Sequence, residues 1–139
     1  MQRADILVEL NNHGILPTAQ RIEIAGILLE KPQHLSADQV IDRLRLSGSG
    51  VSKATVYNTL NLFCERGLVN ECLVDPERRF YDSTTEPHHH FYNMDTGELT
   101  DIPLGDIRLA DLPPIPAGSA LDRVEVIVKV RSQPVGNLA

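Results

Sequence analysis

The chain is 139 residues long, 42% hydrophobic and 23% charged, ordinary for a soluble globular protein and too apolar for a disordered one. Thirteen Lys and Arg against nineteen Asp and Glu give a formal net charge of −6, the wrong sign for a protein that coats nucleic acid regardless of sequence. Two cysteines, Cys64 and Cys72, are too few for a disulfide framework or a zinc site of their own. No apolar run approaches a membrane span, and Met1-Gln2-Arg3-Ala4-Asp5 lacks a signal-peptide core, so the expected address is the cytosol, with no membrane partner.

The first half reads as helices. Residues 2–13 hold Ile6, Leu7 and Leu10 at helical spacing, with Gly14 as the stop. Thr18 caps a second helix that runs to about Glu30, and Pro32 closes it. Ser36-Ala37-Asp38-Gln39 is a capping box, with Leu35 and Val40 at the staple positions, and the helix it opens ends before Gly48-Ser49-Gly50. Ser52 caps a fourth helix over 53–66, which carries Val56, Leu60 and Phe63 on one face and is followed by Gly67. The period then changes. Residues 68–74 and 79–82 read as two short strands around Asp75-Pro76-Glu77. Helices followed by a hairpin form the winged-helix plan, in which the helix before the hairpin is the one offered to a DNA major groove.

The remainder reads as strands. Residues 88–93 and 98–102 flank the turn Asp95-Thr96-Gly97. Residues 123–131 form the clearest strand, with Val124, Val126, Val128 and Val130 facing one way and Glu125, Ile127, Lys129 and Arg131 the other. Between them, 104–119 contains Pro113-Pro114 and Pro116 and cannot be one continuous helix. The expected fold class is therefore α+β. A winged helix-turn-helix domain occupies residues 1–82, and a small, mostly β domain occupies 83–139. So small a sheet buries little apolar surface alone, which points to a partner sheet from a second subunit.

The strongest chemical signal is His88-His89-His90. On a strand, His88 and His90 share one face and His89 takes the other. Asp82 and Asp101 on neighbouring strands, and His34 before the third helix, could join them as a mixed nitrogen and oxygen set that suits Mn(II), Fe(II) or Zn(II). A metal held from both halves would clamp them in one orientation and so control DNA binding. The same histidine run is equally compatible with a solvated loop, and His34 with an ordinary helix-entry residue. The fourth helix offers Lys53, Thr55, Tyr57, Asn58 and Asn61 away from its apolar face, types that bond adenine edges, thymine methyls and phosphates, and Arg21 could add a phosphate contact. A solvated helix face is the plainer account of that set. Enzyme readings are thin: Cys64 reads as a core residue, and a hydrolytic metal would lack an added base or oxyanion donors.

Taken in order, Gly14-Ile15-Leu16-Pro17-Thr18-Ala19-Gln20-Arg21, His34-Leu35-Ser36-Ala37-Asp38, Ala54-Thr55-Val56-Tyr57-Asn58-Thr59-Leu60, Gly67-Leu68-Val69 and His88-His89-His90 resemble the ferric uptake regulator family. The resemblance covers nearly the whole chain. It implies a cytosolic homodimeric transcription factor, a repressor that binds pseudo-palindromic operator DNA and is not an enzyme. It also implies a winged helix, a C-terminal dimerisation domain and a regulatory metal at the hinge. Carried over by position, that metal site falls on His34, Asp82, His88, His90 and Asp101, and the DNA contacts fall on Arg21, Lys53, Thr55, Tyr57 and Asn58. Asp82 and Asp101 look like the peroxide-stress branch, in which bound Fe(II) reacts with peroxide and oxidises its own histidine ligands, at positions matching His34 and His88. Three departures stand out. Asn93-Met94-Asp95-Thr96 replaces the first pair of a four-cysteine structural zinc site, and no Cys follows Cys72, so that zinc is expected to be absent. The segment 104–119 is short and proline-rich where a helix is usual. A second metal site would have no obvious ligand beyond His89. These departures look like the iron-response regulator branch, some members of which sense haem, which makes haem at His88–His90 the alternative input. A metal-dependent hydrolase or metal-storage module is the third reading.

Overall fold

The computed structural model describes residues 1–134. They form two compact units, Met1–Thr85 and a second beginning at Glu86.

In the first unit, helix α1 (Arg3–Asn12) starts one residue later than the apolar pattern predicts. Gln2 is its cap, and the Gln2 backbone N–H donates to the Asp5 carboxylate. Helix α2 (Ala19–Leu28) is capped by Thr18, whose hydroxyl accepts the Arg21 N–H at 3.2 Å. It ends two residues short of Glu30 because the Gln33 side-chain amide reaches back to the carbonyls of Ile27 and Leu28, at 2.7 and 3.3 Å. Helix α3 (Ala37–Leu46) opens on the full Ser36/Gln39 capping box. Helix α4 (Lys53–Glu65) opens on Ser52. Its C-terminus closes through Gly67, at φ +75°, with Gly67 N–H to the Cys64 carbonyl and Leu68 N–H to the Phe63 carbonyl. That left-handed glycine turns the chain straight into the hairpin and brings Leu68 into the core.

The hairpin pairs β2 (Asn70–Asp75) with β3 (Arg78–Asp82), with an irregularity between Leu73 and Asp75. A third strand was not legible in the sequence. Strand β1 (His34–Ser36) pairs antiparallel with β3, giving the sheet order β1-β3-β2. Three residues, the last of them the cap of α3, carry no alternation that could announce a strand, and this one exists only because β3 offers it an edge. The core joins all four helices to the sheet through fully buried Leu10, Ile24, Leu28, Val40, Leu44, Val56, Leu60, Phe63 and Val69.

The second unit has a sheet in the order β5-β4-β6. Strand β4 (His89–Asn93) runs antiparallel to β5 (Leu99–Ile102) and parallel to β6 (Ile127–Val130). A single 3-10 turn, Leu104–Asp106, is the only helix assigned among the described residues after Pro103. The predicted strand over 123–131 is regular only over its last part. Its valine face does not form one buried stripe, since Val128 is 36% exposed while Ile127 and Val130 are half-buried. The β4–β5 turn is tied to the end of β6 by side chains. Asn93 Oδ1 accepts the N–H groups of Asp95 and Thr96 at 2.9 and 3.1 Å. Asn93 Nδ2 donates to the Ser132 hydroxyl at 3.2 Å, and Ser132 N–H donates to the Asp95 carboxylate at 2.9 Å.

Candidate metal centre and nucleic-acid interface

The five predicted metal ligands fall into two sets, one in each unit. In the first unit, pairing of β1 with β3 puts His34 directly opposite Asp82. Directly paired residues on adjacent strands present their side chains to one face, so the unrecognised strand is what brings these two together. The pairing is held from outside by Gln33 and Ser83. Gln33 N–H donates to the Ser83 hydroxyl at 3.0 Å, Ser83 N–H donates to the Gln33 carbonyl at 3.0 Å, and Arg43 donates to the Gln33 side-chain oxygen at 3.1 Å. Asp82 is only 2% exposed, and one of its carboxylate oxygens accepts the Thr84 N–H at 2.9 Å.

In the second unit, His88, His90 and Asp101 converge. His90 and Asp101 are register partners across β4 and β5. Asp101 Oδ1 lies 3.4 Å from His88 Nε2 and 3.5 Å from His90 Nε2, and the two rings meet edge to face with centroids 4.5 Å apart. His88 Nδ1 lies 2.7 Å from the Glu86 carbonyl. A carbonyl can only accept, so Nδ1 carries the proton, and a neutral His88 turns the lone pair of Nε2 toward Asp101. Two imidazole nitrogens around one carboxylate oxygen need a shared proton or a cation between them. Nitrogen and oxygen donors without a thiolate fit a divalent first-row metal. On the far edge of the His90 ring, Glu125 Oε1 lies 3.8 Å from Nδ1. Glu125 was not among the sequence candidates, because strand alternation gave no reason to select one outward carboxylate from several. His89 points the other way, is 2% exposed, and accepts the Val126 N–H on Nδ1 at 3.0 Å.

The predicted DNA contacts sit on α4 and the start of α2. Lys53, Tyr57, Asn58 and Asn61 are exposed, opposite the buried Val56, Leu60 and Phe63. Thr55 is half-buried, and its hydroxyl is bonded to that of the Ser52 cap at 2.9 Å. Arg21 donates to the Leu16 carbonyl at 2.9 Å. Thr18, Gln20, Arg21, Thr55 and Asn58 line an open cleft of about 390 Å³ between the two helices.

Residues 12–111 match the model of the ferric uptake regulator family. The chain belongs to that family. Among relatives of the ferric uptake regulator type, it is 30% identical over 100 residues to the peroxide-responsive repressor PerR of Staphylococcus saprophyticus, spanning 72% of this chain and 68% of that one. It is 32% identical over 97 residues to the peroxide operon regulator of Bacillus subtilis, spanning 70% and 67%. Its fold is similar to that of the Pseudomonas aeruginosa ferric uptake regulator solved with manganese, with a TM-score of 0.67 and 25% identity over 92% of this chain and 98% of that one. It is also similar to the Francisella tularensis ferric uptake regulator solved with iron, with a TM-score of 0.71 and 24% identity over 86% and 93%. A winged helix followed by a β-rich unit is thus the architecture of this ferric uptake regulator family member.

The Cys64 environment holds its thiol in the protonated, unreactive form. Burial, and after it the neighbouring Glu71, push the Cys64 thiol up to about 11 from 9.0. The thiolate is the reactive form, so at pH 8 the native chain should hold on the order of 100-fold less Cys64 thiolate than the unfolded one. Iodoacetamide labelling followed by mass spectrometry should show Cys64 modified far more slowly before urea than after it. Equal rates would contradict this environment.

Proposed function

We propose that this protein is a dimeric, cytoplasmic transcriptional repressor whose affinity for pseudo-palindromic operator DNA is set by one divalent ion, Fe(II) or Mn(II). Zn(II) suits the same ligands. His34 and Asp82 from the first unit, and His88, His90 and Asp101 from the second, are the proposed ligands. The observation that carries the reading is the convergence of His88 Nε2, His90 Nε2 and one Asp101 oxygen, with the His88 tautomer already set by the Glu86 carbonyl. A divalent ion supplies a fixed positive centre there. Because the ligands come from both units, holding them together would favour one arrangement of the units over others. Lys53, Tyr57 and Asn58 on the exposed side of α4 are the proposed base and phosphate contacts, with Thr55 and Arg21 at the cleft beside them.

Dimerisation is supported by apolar surface. Phe91, Leu104, Leu109, Leu112 and Leu121 of the second unit are each 41 to 55% exposed in the single chain, and a second copy would cover them. Peroxide is the proposed input, through oxidation of His34 or His88 when the ion is Fe(II), as the named peroxide-responsive relatives suggest. Haem fits less well, because His89 and His90 are each 2% exposed. No helix among the described residues is long and apolar enough to cross a membrane.

The test is fluorescence anisotropy with a duplex that the protein itself selects from a random library, using chelated protein titrated anaerobically with Mn(II) at one fixed salt concentration. Tighter binding on adding Mn(II) is expected. Affinity unchanged by Mn(II) would overturn the proposal.

A further inference from the structure

We propose that Gln33 is a positioning residue for the metal site. It binds no ion itself. It holds His34 opposite Asp82, and so helps to set the affinity for a divalent ion. The proposal rests on the reading of His34 and Asp82 as metal ligands.

Strand β1 is three residues long, and His34 is its first. Pairing this short is marginal without further ties. The Ser36/Gln39 capping box fixes the far end. The near end cannot grow, because Pro32 has no N–H to add to a ladder. Gln33 supplies the tie there. Its N–H donates to the Ser83 hydroxyl at 3.0 Å, and its carbonyl accepts the Ser83 N–H at 3.0 Å. These two bonds form the rung next to the His34 and Asp82 pair. The Ser83 hydroxyl lies 3.2 Å from the carbonyls of both Lys31 and Gln33 and shares its one proton between them.

The Gln33 side chain holds that rung to two helices. Nε2 donates one proton to the Ile27 carbonyl at 2.7 Å and the other to the Leu28 carbonyl at 3.3 Å, at the end of α2. Oε1 accepts from the Arg43 guanidinium of α3 at 3.1 Å. An amide meets all three at once, with two donors for two carbonyls and an acceptor for a cation. Turned over, it would set oxygen against carbonyl oxygens and N–H against guanidinium, so its orientation is fixed. The residue before His34 is thus bound to α2, α3 and the end of β3. The His34 ring meets Phe80 of β3 edge to face, with centroids 6.3 Å apart, a contact that also needs β1 to lie on β3. Losing a group that orients a ligand without binding the ion typically costs about 10- to 100-fold in metal affinity. Gln33 acts on His34 through the backbone, which places it at the lower end.

The experiment uses the full chain and its Gln33→Met variant, which keeps the length of the side chain and loses its three bonds. Mn(II) affinity is read from the electron paramagnetic resonance signal of the free ion. Local order is read from amide hydrogen exchange of the metal-free protein. Gln33→Met should weaken Mn(II) binding about tenfold. Ser83→Ala, which removes the hydroxyl from the other side of the rung, should weaken it too. In both variants exchange should quicken across residues 34–36 while α4 keeps the protection it has in the parent. In a His34→Ala background the effect of Gln33→Met should shrink to within about twofold, because the residue it acts through is gone. An equal loss in that background would overturn the positioning role, by making Gln33 a matter of overall stability. Mn(II) affinity of Gln33→Met within about twofold of the parent would overturn it as well. Failure of the parent to bind Mn(II) would instead remove the metal-site reading beneath it.

Discussion

Alanine at both His88 and His90 is expected to leave a folded dimer whose DNA affinity no longer responds to Mn(II). Coupling between two sites on one protein is usually worth about 1–3 kcal/mol, or a 5- to 150-fold change in affinity, and the double variant should flatten that response to within experimental scatter. The reason is geometric. Removing both rings takes away the two nitrogens that meet Asp101 Oδ1, leaving one carboxylate in the second unit to face any ion. The fold should survive, because the register of β4 with β5 and β6 is carried by backbone bonds and neither histidine belongs to the core cluster of the first unit. Anisotropy titrations of parent and variant, with far-ultraviolet dichroism and sedimentation as controls, decide the matter. A variant that keeps its Mn(II) response would move the regulatory site elsewhere.

The second large effect is on α4 itself. Phe63 is fully buried among Val56, Leu60 and the other helices' side chains. Phe63→Ala should cost about 3–5 kcal/mol, from lost burial and the cavity left behind. A domain of this kind is stable by only about 5–15 kcal/mol, so much of the margin disappears. DNA binding should fail with and without metal, because the face bearing Lys53, Tyr57 and Asn58 is held in place only by the packing of the opposite face. Asn61→Ala, on the exposed side of the same helix, should change stability by less than about 0.5 kcal/mol. Urea unfolding of the three proteins measures both figures. A Phe63→Ala midpoint equal to that of the parent would mean that α4 packs by some other face.

Much of this was legible in the residues, and the reasons differ from element to element. The helices of the first unit announce themselves because Thr18, Ser36 and Ser52 are true caps whose hydroxyls accept the N–H groups of Arg21, Gln39 and Thr55. The alternation of His88, His89 and His90 was legible because a strand has only two faces. Strand β1 was not, since three residues paired to a distant edge leave no local trace. With it went the reason why His34 and Asp82 belong together. The extent of β6 was overestimated because four alternating valines look like a sheet interior, whereas regular pairing with β4 begins only at Ile127. Glu125 was not legible as a neighbour of His90, since the two are 35 residues apart and come within reach only through the parallel pairing of β4 with β6.

The tie between Asn93, Asp95 and Ser132 bears on how the protein meets a chelator. It joins the β4–β5 turn to the end of β6 with neutral amide and hydroxyl groups and one carboxylate, at the place where many family members are expected to use thiolates and zinc. Both cysteines lie in the first unit, Cys72 buried and Cys64 half-buried. A strong chelator that removes the regulatory ion should therefore leave this tie between the β4–β5 turn and β6 in place. Stripping the regulatory ion and unfolding the sheet should then be separate events. A cell short of the ion could leave this regulator empty and refill it later without rebuilding the protein.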